Sequence, residues 1–183
     1  MPLNYNEEEI PKFEDIVKSA EAKIKKVDMV KYCFYDLYKK IGNEYIKDLS
    51  KLDSKITLDH KSEKDFKGLY ILFDESVVQY VGISKNVLLR IKQHFLSNSH
   101  YSASLVYLMA LKDHEQSVGG KYKYKGLRKD LPNFKKYRSD QQEIMRNQWR
   151  ISFIPEEDSF HLHVLEAYAA CELKAKWNSF QTH

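Results

Sequence analysis

Apolar residues recur at three- and four-residue spacings from Pro11 onward. Phe13, Ile16, Val17, Ala20 and Ile24 share one stripe of a helix, and Pro11 suits its first turn. A second stripe, Val30, Phe34, Leu37, Tyr38 and Ile41, predicts a helix from about Asp28 to Ile41, with Gly42 as its C-cap. Residues 7–60 read as an α-helical extension, joined to the rest by the polar run from Asp59 to Asp65. The domain boundary is therefore set near residue 65.

Beyond it the pattern becomes strand-like. Gly68-Leu-Tyr-Ile-Leu-Phe73 and Val77-Val-Gln-Tyr-Val-Gly-Ile83 are two β-rich runs separated by the turn residues Asp74-Glu-Ser76, which predicts a hairpin. Val87, Leu88, Ile91 and Phe95 then restore helical spacing, with Ser84 or Asn86 placed to cap the helix. Another helix is expected over Ser102 to Leu111, strands over Trp149 to Ile154 and Phe160 to His163, and a final helix over Leu165 to Trp177. The expected fold class is α+β: a small, mainly antiparallel sheet of about three strands flanked by helices. An N-terminal helical extension (residues 1–65) precedes it, and a basic insertion interrupts it at about residues 112–148.

Composition narrows the function classes. With 183 residues the chain suits one main core. No run approaches the roughly 18 apolar residues of a membrane span, and the N-terminus lacks the layout of a signal peptide, so a cytoplasmic protein is expected. Cys33 and Cys171 belong to no metal-binding cluster and read as two reduced, buried thiols. The net charge of +4 says little by itself, but its distribution says more. The segment Lys121 to Arg138 is dense in Lys and Arg beside a single acid, Asp130, whereas Glu7 to Asp15 is acidic.

The informative string is Gly68-Leu-Tyr70, nine residues, Tyr80-Val-Gly82, then Arg90 and His94 on the next helix. The hairpin can set Tyr80 beside Tyr70, and a four-residue step puts Arg90 and His94 on one helical face. Arginine offers a permanent fork of donors to a phosphate, while Tyr and His position groups or move protons. Taken singly, a strand tyrosine is usually packing and an Arg/His pair usually a solvated face; their ordered combination carries the weight.

That string resembles the GIY-YIG nuclease family, in the manner of its restriction-endonuclease-like members. Its parts here are Gly68-Leu69-Tyr70, Tyr80-Val81-Gly82, Arg90 with His94, Leu165-Glu166-Ala167-Tyr168 and Trp177-Asn178. Leu69 and Val81 stand where the family name has isoleucines. The resemblance implies hydrolysis of a DNA phosphodiester with one divalent metal ion, Mg2+ or Mn2+, held by Glu166 with water and phosphate oxygens. It implies Tyr70 as general base, with Tyr80 and His94 assisting or holding the phosphate. Arg90 would neutralise developing charge, and Asn178 would brace the site or contact phosphate. A tyrosine with an ordinary pKa of about 10 is a poor base at neutral pH, so His94 stays open as the proton acceptor. Glu172 is a rival acid on the same helix, six residues on and facing elsewhere. Asn178 as a plain helix C-cap also stays open.

Double-stranded DNA is the expected partner, with a homodimer as one option and no membrane. Lys85, His100, Lys121, Lys123, Lys125, Arg128 and Lys129 are the expected DNA contacts. Ser102 and Ser104 are weaker candidates for touching the substrate backbone, and His161 and His163 read as ordinary strand histidines. The type II restriction-like endonuclease is the reading favoured; its rival is a catalytically silent DNA-binding protein or accessory subunit that keeps the nuclease fold.

Overall fold

The computed structural model describes residues 11–25, 30–59, 64–120 and 123–178. In chain order these form α1 (Phe13–Lys25), β1 (Tyr32–Cys33), α2 (Phe34–Leu37), β2 (Tyr38–Ile41), β3 (Glu44–Lys47), β4 (Gly68–Asp74) and β5 (Val77–Ser84). There follow α3 (Val87–Leu96), α4 (Ser104–Ser117), a 3-10 turn at Arg128–Asp130, α5 (Phe134–Gln148), β6 (Arg150–Pro155) and α6 (Ser159–Glu172).

The main sheet is antiparallel with strand order β1-β6-β4-β5, so it has four strands where three were expected. The extra strand is only two residues long, Tyr32 and Cys33 paired with Ile151 and Arg150. So short a strand has no periodicity to read, and its partner lies over a hundred residues away. Side chains alternate to the two faces as the pleat requires. Tyr70, Leu72 and Ile151 face a core shared with α2, α3, α4 and α5, while Leu69, Ile71, Phe73 and Ile154 face α1 and α6. Helices thus cover both faces.

The helix expected over Asp28 to Ile41 is absent from its described part, residues 30–41. A single helical turn, α2, gives way to the β2–β3 hairpin, whose register pairs Ile41 with Glu44 across Gly42-Asn43. Gly42 has φ +58, so it is a turn residue and not a helix cap. The apolar stripe misled because Phe34, Leu37 and Tyr38 are all buried, as a helix would bury them, although the backbone changes form between them. Phe160 to His163 is likewise not a strand. It opens α6, where the Asp158 carboxylate accepts a hydrogen bond from the His161 N–H at 2.8 Å. Four residues of alternating pattern do not outweigh that cap.

Within residues 112–148, α5 buries Phe134, Gln142 and Met145 against α3 and α4, while Lys123, Lys125, Arg128 and Lys129 are exposed. Lys121 lies outside the described residues. Both cysteines are free, but neither is fully buried: Cys171 is exposed, and the half-buried Cys33 donates its thiol to Asp36 at 2.9 Å. No helix among the described residues is long and apolar enough to cross a membrane.

Candidate active site

Tyr70 sits in β4 directly opposite Gly82 of β5. A Cβ at Gly82 would lie 2.5 Å from the Tyr70 hydroxyl oxygen and 2.8 Å from the Tyr80 ring, so glycine is what lets the Tyr70 ring lie flat across the neighbouring strand. Gly68 answers the same need on the other side, where a Cβ would meet the Ile154 carbonyl oxygen of β6 at 2.5 Å. Both glycines of the motif therefore make room for close packing at β4.

A bulge between Leu72 and Phe73 in the β4–β5 ladder sets Tyr80 opposite Leu72 and brings its ring to 6.1 Å from that of Tyr70. His94, projecting from α3, completes a triangle of rings at 5.6 Å from Tyr70 and 5.7 Å from Tyr80. The Tyr70 hydroxyl and His94 Nε2 are hydrogen-bonded at 2.8 Å. Tyr70 is 1% exposed and His94 is fully buried, and His94 Nδ1 has no hydrogen-bond partner among the described residues. Burial pushes the Tyr70 pKa well above its ordinary value. Burial, helped by the nearby Arg90 charge, holds His94 well below its own. At neutral pH the pair is an uncharged phenol and an uncharged imidazole.

Arg90 lies one turn before His94 on α3 and is half-buried. Its guanidinium donates to the Gln93 side chain at 3.1 Å, the Ser102 carbonyl at 3.0 Å and the Ser104 hydroxyl at 2.8 Å. Ser102 and Ser104 thus hold Arg90. Three of its five N–H donors are engaged by these groups, and its charge also lies beside Tyr70, where it works against the effect of burial. Tyr80 is the half-exposed member of the ring triangle, and its pKa is raised mainly by burial and then by the charge of Glu166.

Glu166 approaches from α6, the helix on the opposite face of the sheet, flanked by the buried Leu165. Its carboxylate is half-buried and, among the described residues, makes no hydrogen bond or ion pair. Burial pushes its pKa up, opposed by His163. Glu172 lies instead beside Lys25 of α1, away from the tyrosines. Asn178 does not cap α6, which ends at Glu172. Its amide grips β5 in both directions, accepting from the Val81 N–H at 2.8 Å and donating to the Val81 carbonyl at 2.7 Å. Asn178 therefore braces the strand that carries Tyr80.

The sequence gives no sign of Asp65. Neither Ser84 nor Asn86 caps α3 with its side chain onto the helix. The fully buried Asp65 carboxylate, just before β4, accepts from the N–H groups of Leu88 at 2.8 Å and Leu89 at 2.9 Å and pairs with Lys47 of β3 at 3.1 Å. A cap reaching across more than twenty residues leaves no local signature. Lys85 is exposed in the turn between β5 and α3, and His100 is half-buried against Tyr101 at 4.2 Å. Neither touches the ring triangle.

A family model described as GIY-YIG catalytic domain matches residues 66–169. The match covers more than half of the chain, and the chain belongs to the GIY-YIG nuclease family. No curated protein and no solved structure matches it. The family makes the chain a nuclease with DNA as the implied substrate.

Proposed function

We propose that the protein is a divalent-metal-dependent DNA endonuclease of restriction type, with or without pairing of two copies on the duplex. The observation that carries the reading is a half-buried Glu166 carboxylate that makes no hydrogen bond or ion pair among the described residues, close enough to Tyr80 and Tyr70 for its charge to raise both their pKa values.

Such a carboxylate fits a cation, since a charge held partly out of water needs an opposite charge nearby. Among the described residues no group of three His, Cys, Asp or Glu could hold a metal. The matching site is one carboxylate with the remaining positions left to water and phosphate oxygens, which suits Mg2+ or Mn2+. When bound, the ion supplies positive charge to the phosphoryl oxygens and lowers the pKa of a water.

The chain's own residues supply the rest. Tyr80, half-exposed, presents its hydroxyl to the incoming phosphate. The attacking water passes a proton to the Tyr70 oxygen as Tyr70 passes its own to His94 Nε2, along the 2.8 Å hydrogen bond. No free phenolate need form, and His94, uncharged at rest, carries the proton only while negative charge grows on the phosphoryl group beside it. The new P–O bond forms, the bond to the leaving sugar oxygen breaks and that oxygen takes a proton from solvent, while His94 hands its proton back through the Tyr70 hydroxyl to solvent and the pair returns to its uncharged state. Arg90, its fork fixed by Ser102, Ser104 and Gln93, turns its charge toward the charge growing on the phosphoryl group. Lys85, His100, Lys123, Lys125, Arg128 and Lys129, together with Lys121, supply sequence-independent grip on the phosphates.

The test uses supercoiled plasmid with MgCl2 or MnCl2. Cleavage is expected with either ion, loss with chelator, and loss of at least about a thousandfold in rate for Glu166→Gln. In the parent, but not in Glu166→Gln, the ion is also expected to raise the thermal midpoint. Undiminished cutting in chelator removes the metal from the proposal. Binding of duplex without any cutting favours the silent DNA-binding protein.

A further inference from the structure

We infer that the shallow pocket between α4, α5 and the segment after α6 takes an unstacked nucleotide of the DNA that flanks the scissile phosphate. The inference rests on the DNA-cleaving reading above and adds a second contact to it.

The cavity, of about 210 Å3, is lined among others by Met109, Lys112, Asp113, Tyr137, Lys176 and Trp177. Its floor is the half-buried indole of Trp177, with Lys112 Nζ 5.2 Å and Lys176 Nζ 5.6 Å from the ring centroid. The ring is pinned. Its Nε1–H donates to the Gln79 side chain at 3.2 Å, and the Trp177 backbone N–H donates to the Gln79 carbonyl at 2.9 Å. Gln79 immediately precedes Tyr80, and Asn178, next after Trp177, grips Val81. The pocket and the ring triangle are thus registered on the same strand.

Its chemistry selects a nucleotide. Lys112 and Lys176 make no ion pair among the described residues, although Asp113 lines the same pocket, so two cations face one carboxylate. That surplus suits a phosphate, and the indole beside it suits a base. A base stacked on an aromatic ring is held more firmly than an exposed ammonium over the same ring, so the lysines can turn from the indole to the phosphate as the base arrives. Spacing agrees with a flanking position. Ser104, which holds Arg90, lies eight residues before Lys112 on α4. That is roughly 12 Å along the helix axis, so the pocket lies beyond the phosphate that Arg90 would meet and within reach of a flanking nucleotide.

The experiment uses Glu166→Gln protein, to leave DNA uncut, and follows tryptophan emission. Trp149, the other tryptophan, is only 1% exposed, so quenching by a stacked base reports Trp177. The probes are a dT decamer, an abasic decamer of equal charge and a duplex, with fluorescence anisotropy measuring binding separately. The dT decamer is expected to quench at least about a third of the emission, and the abasic decamer to bind without quenching. Lys112→Ser with Lys176→Ser is expected to weaken dT binding about tenfold while leaving the quench at saturation in place. Trp177→Phe, which keeps a stacking face, should bind within about threefold of its parent, and Trp177→Ala should bind at least about fivefold more weakly. Binding of dT without quenching, or equal quenching by the abasic decamer, overturns the pocket and leaves the nuclease reading standing. If no DNA binds at all, the nuclease reading fails and the pocket with it.

Discussion

Tyr70 and Tyr80 stand on neighbouring strands with their rings 6.1 Å apart, yet they occupy different surroundings. Tyr70 is shut in with His94, both uncharged and joined by one hydrogen bond. Tyr80 faces the half-open edge shared with Arg90 and Glu166, where charge collects. The dry half fixes a proton path at a set length, because burial holds the Tyr70 hydroxyl and His94 Nε2 at hydrogen-bonding distance away from competing water. The half-open edge can meet a polyanion, because its groups keep part of their contact with water until the substrate displaces it. The split suggests that chemistry at this site is organised by exposure as much as by residue type.

The largest effect that sharpens this contrast should come from Arg90. Arg90→Ala is expected to lower the single-turnover cleavage rate by about a thousandfold while duplex affinity falls less than about tenfold. Stopped cleavage assays beside anisotropy titrations measure both. Equal losses in rate and affinity would make Arg90 a binding residue and erase the difference between the two halves.

A smaller effect belongs to the dry half and concerns acid. His94 has a folded pKa well below its ordinary 6.5, so below about that pH the unfolded chain binds a proton that the folded site refuses. Its contribution is therefore fully present above the unfolded value and is lost as the pH falls beneath it, by about 1.4 kcal/mol per pH unit. Urea titrations between pH 7 and pH 5 should show that slope in the parent and a shallower one in His94→Gln. Identical slopes would mean that His94 takes up its proton in the folded state and that the pair is not dry.

The smallest effect on rate is expected from the exposed basic segment. Replacing Lys121, Lys123, Lys125, Arg128 and Lys129 with Ser should flatten the salt dependence of DNA binding, while cleavage at saturating protein stays within about tenfold of the parent. An unchanged salt slope would move the gripping surface elsewhere.

Legibility in the sequence followed the range of the interactions. The hairpin of β4 and β5, helix α3 and the positions of Tyr70, Tyr80, Arg90 and His94 were readable because turn chemistry and spacing within about thirty residues determine them. Glu166 was readable only through the family resemblance, since α6 reaches the site from the opposite face of the sheet. Strand β1 is not readable because its partner lies over a hundred residues away, and the Asp65 cap is not because a carboxylate in the polar run before β4 carries no turn or spacing signal that ties it to α3. The β2–β3 hairpin reads as helix in the sequence because Phe34, Leu37 and Tyr38 satisfy a helical stripe, while a single glycine at positive φ turns the chain. The exposure of the thiols is not readable for a plainer reason: composition does not say that Cys33 falls in a two-residue edge strand or that Cys171 lies on the outer face of α6.

Asp65 bears on how the protein can be divided. The family match begins at Phe66, one residue after the carboxylate that caps α3. A fragment trimmed to the matched boundary would start without that cap, without Lys47 behind it and without the strand that pairs with Ile151 and Arg150. The residues upstream therefore act as an external clamp on the helix carrying Arg90 and His94. Moving the nuclease into a fusion protein would require taking residues from at least Tyr32 onward, and the same dependence links any change in the upstream hairpin to the geometry of cutting.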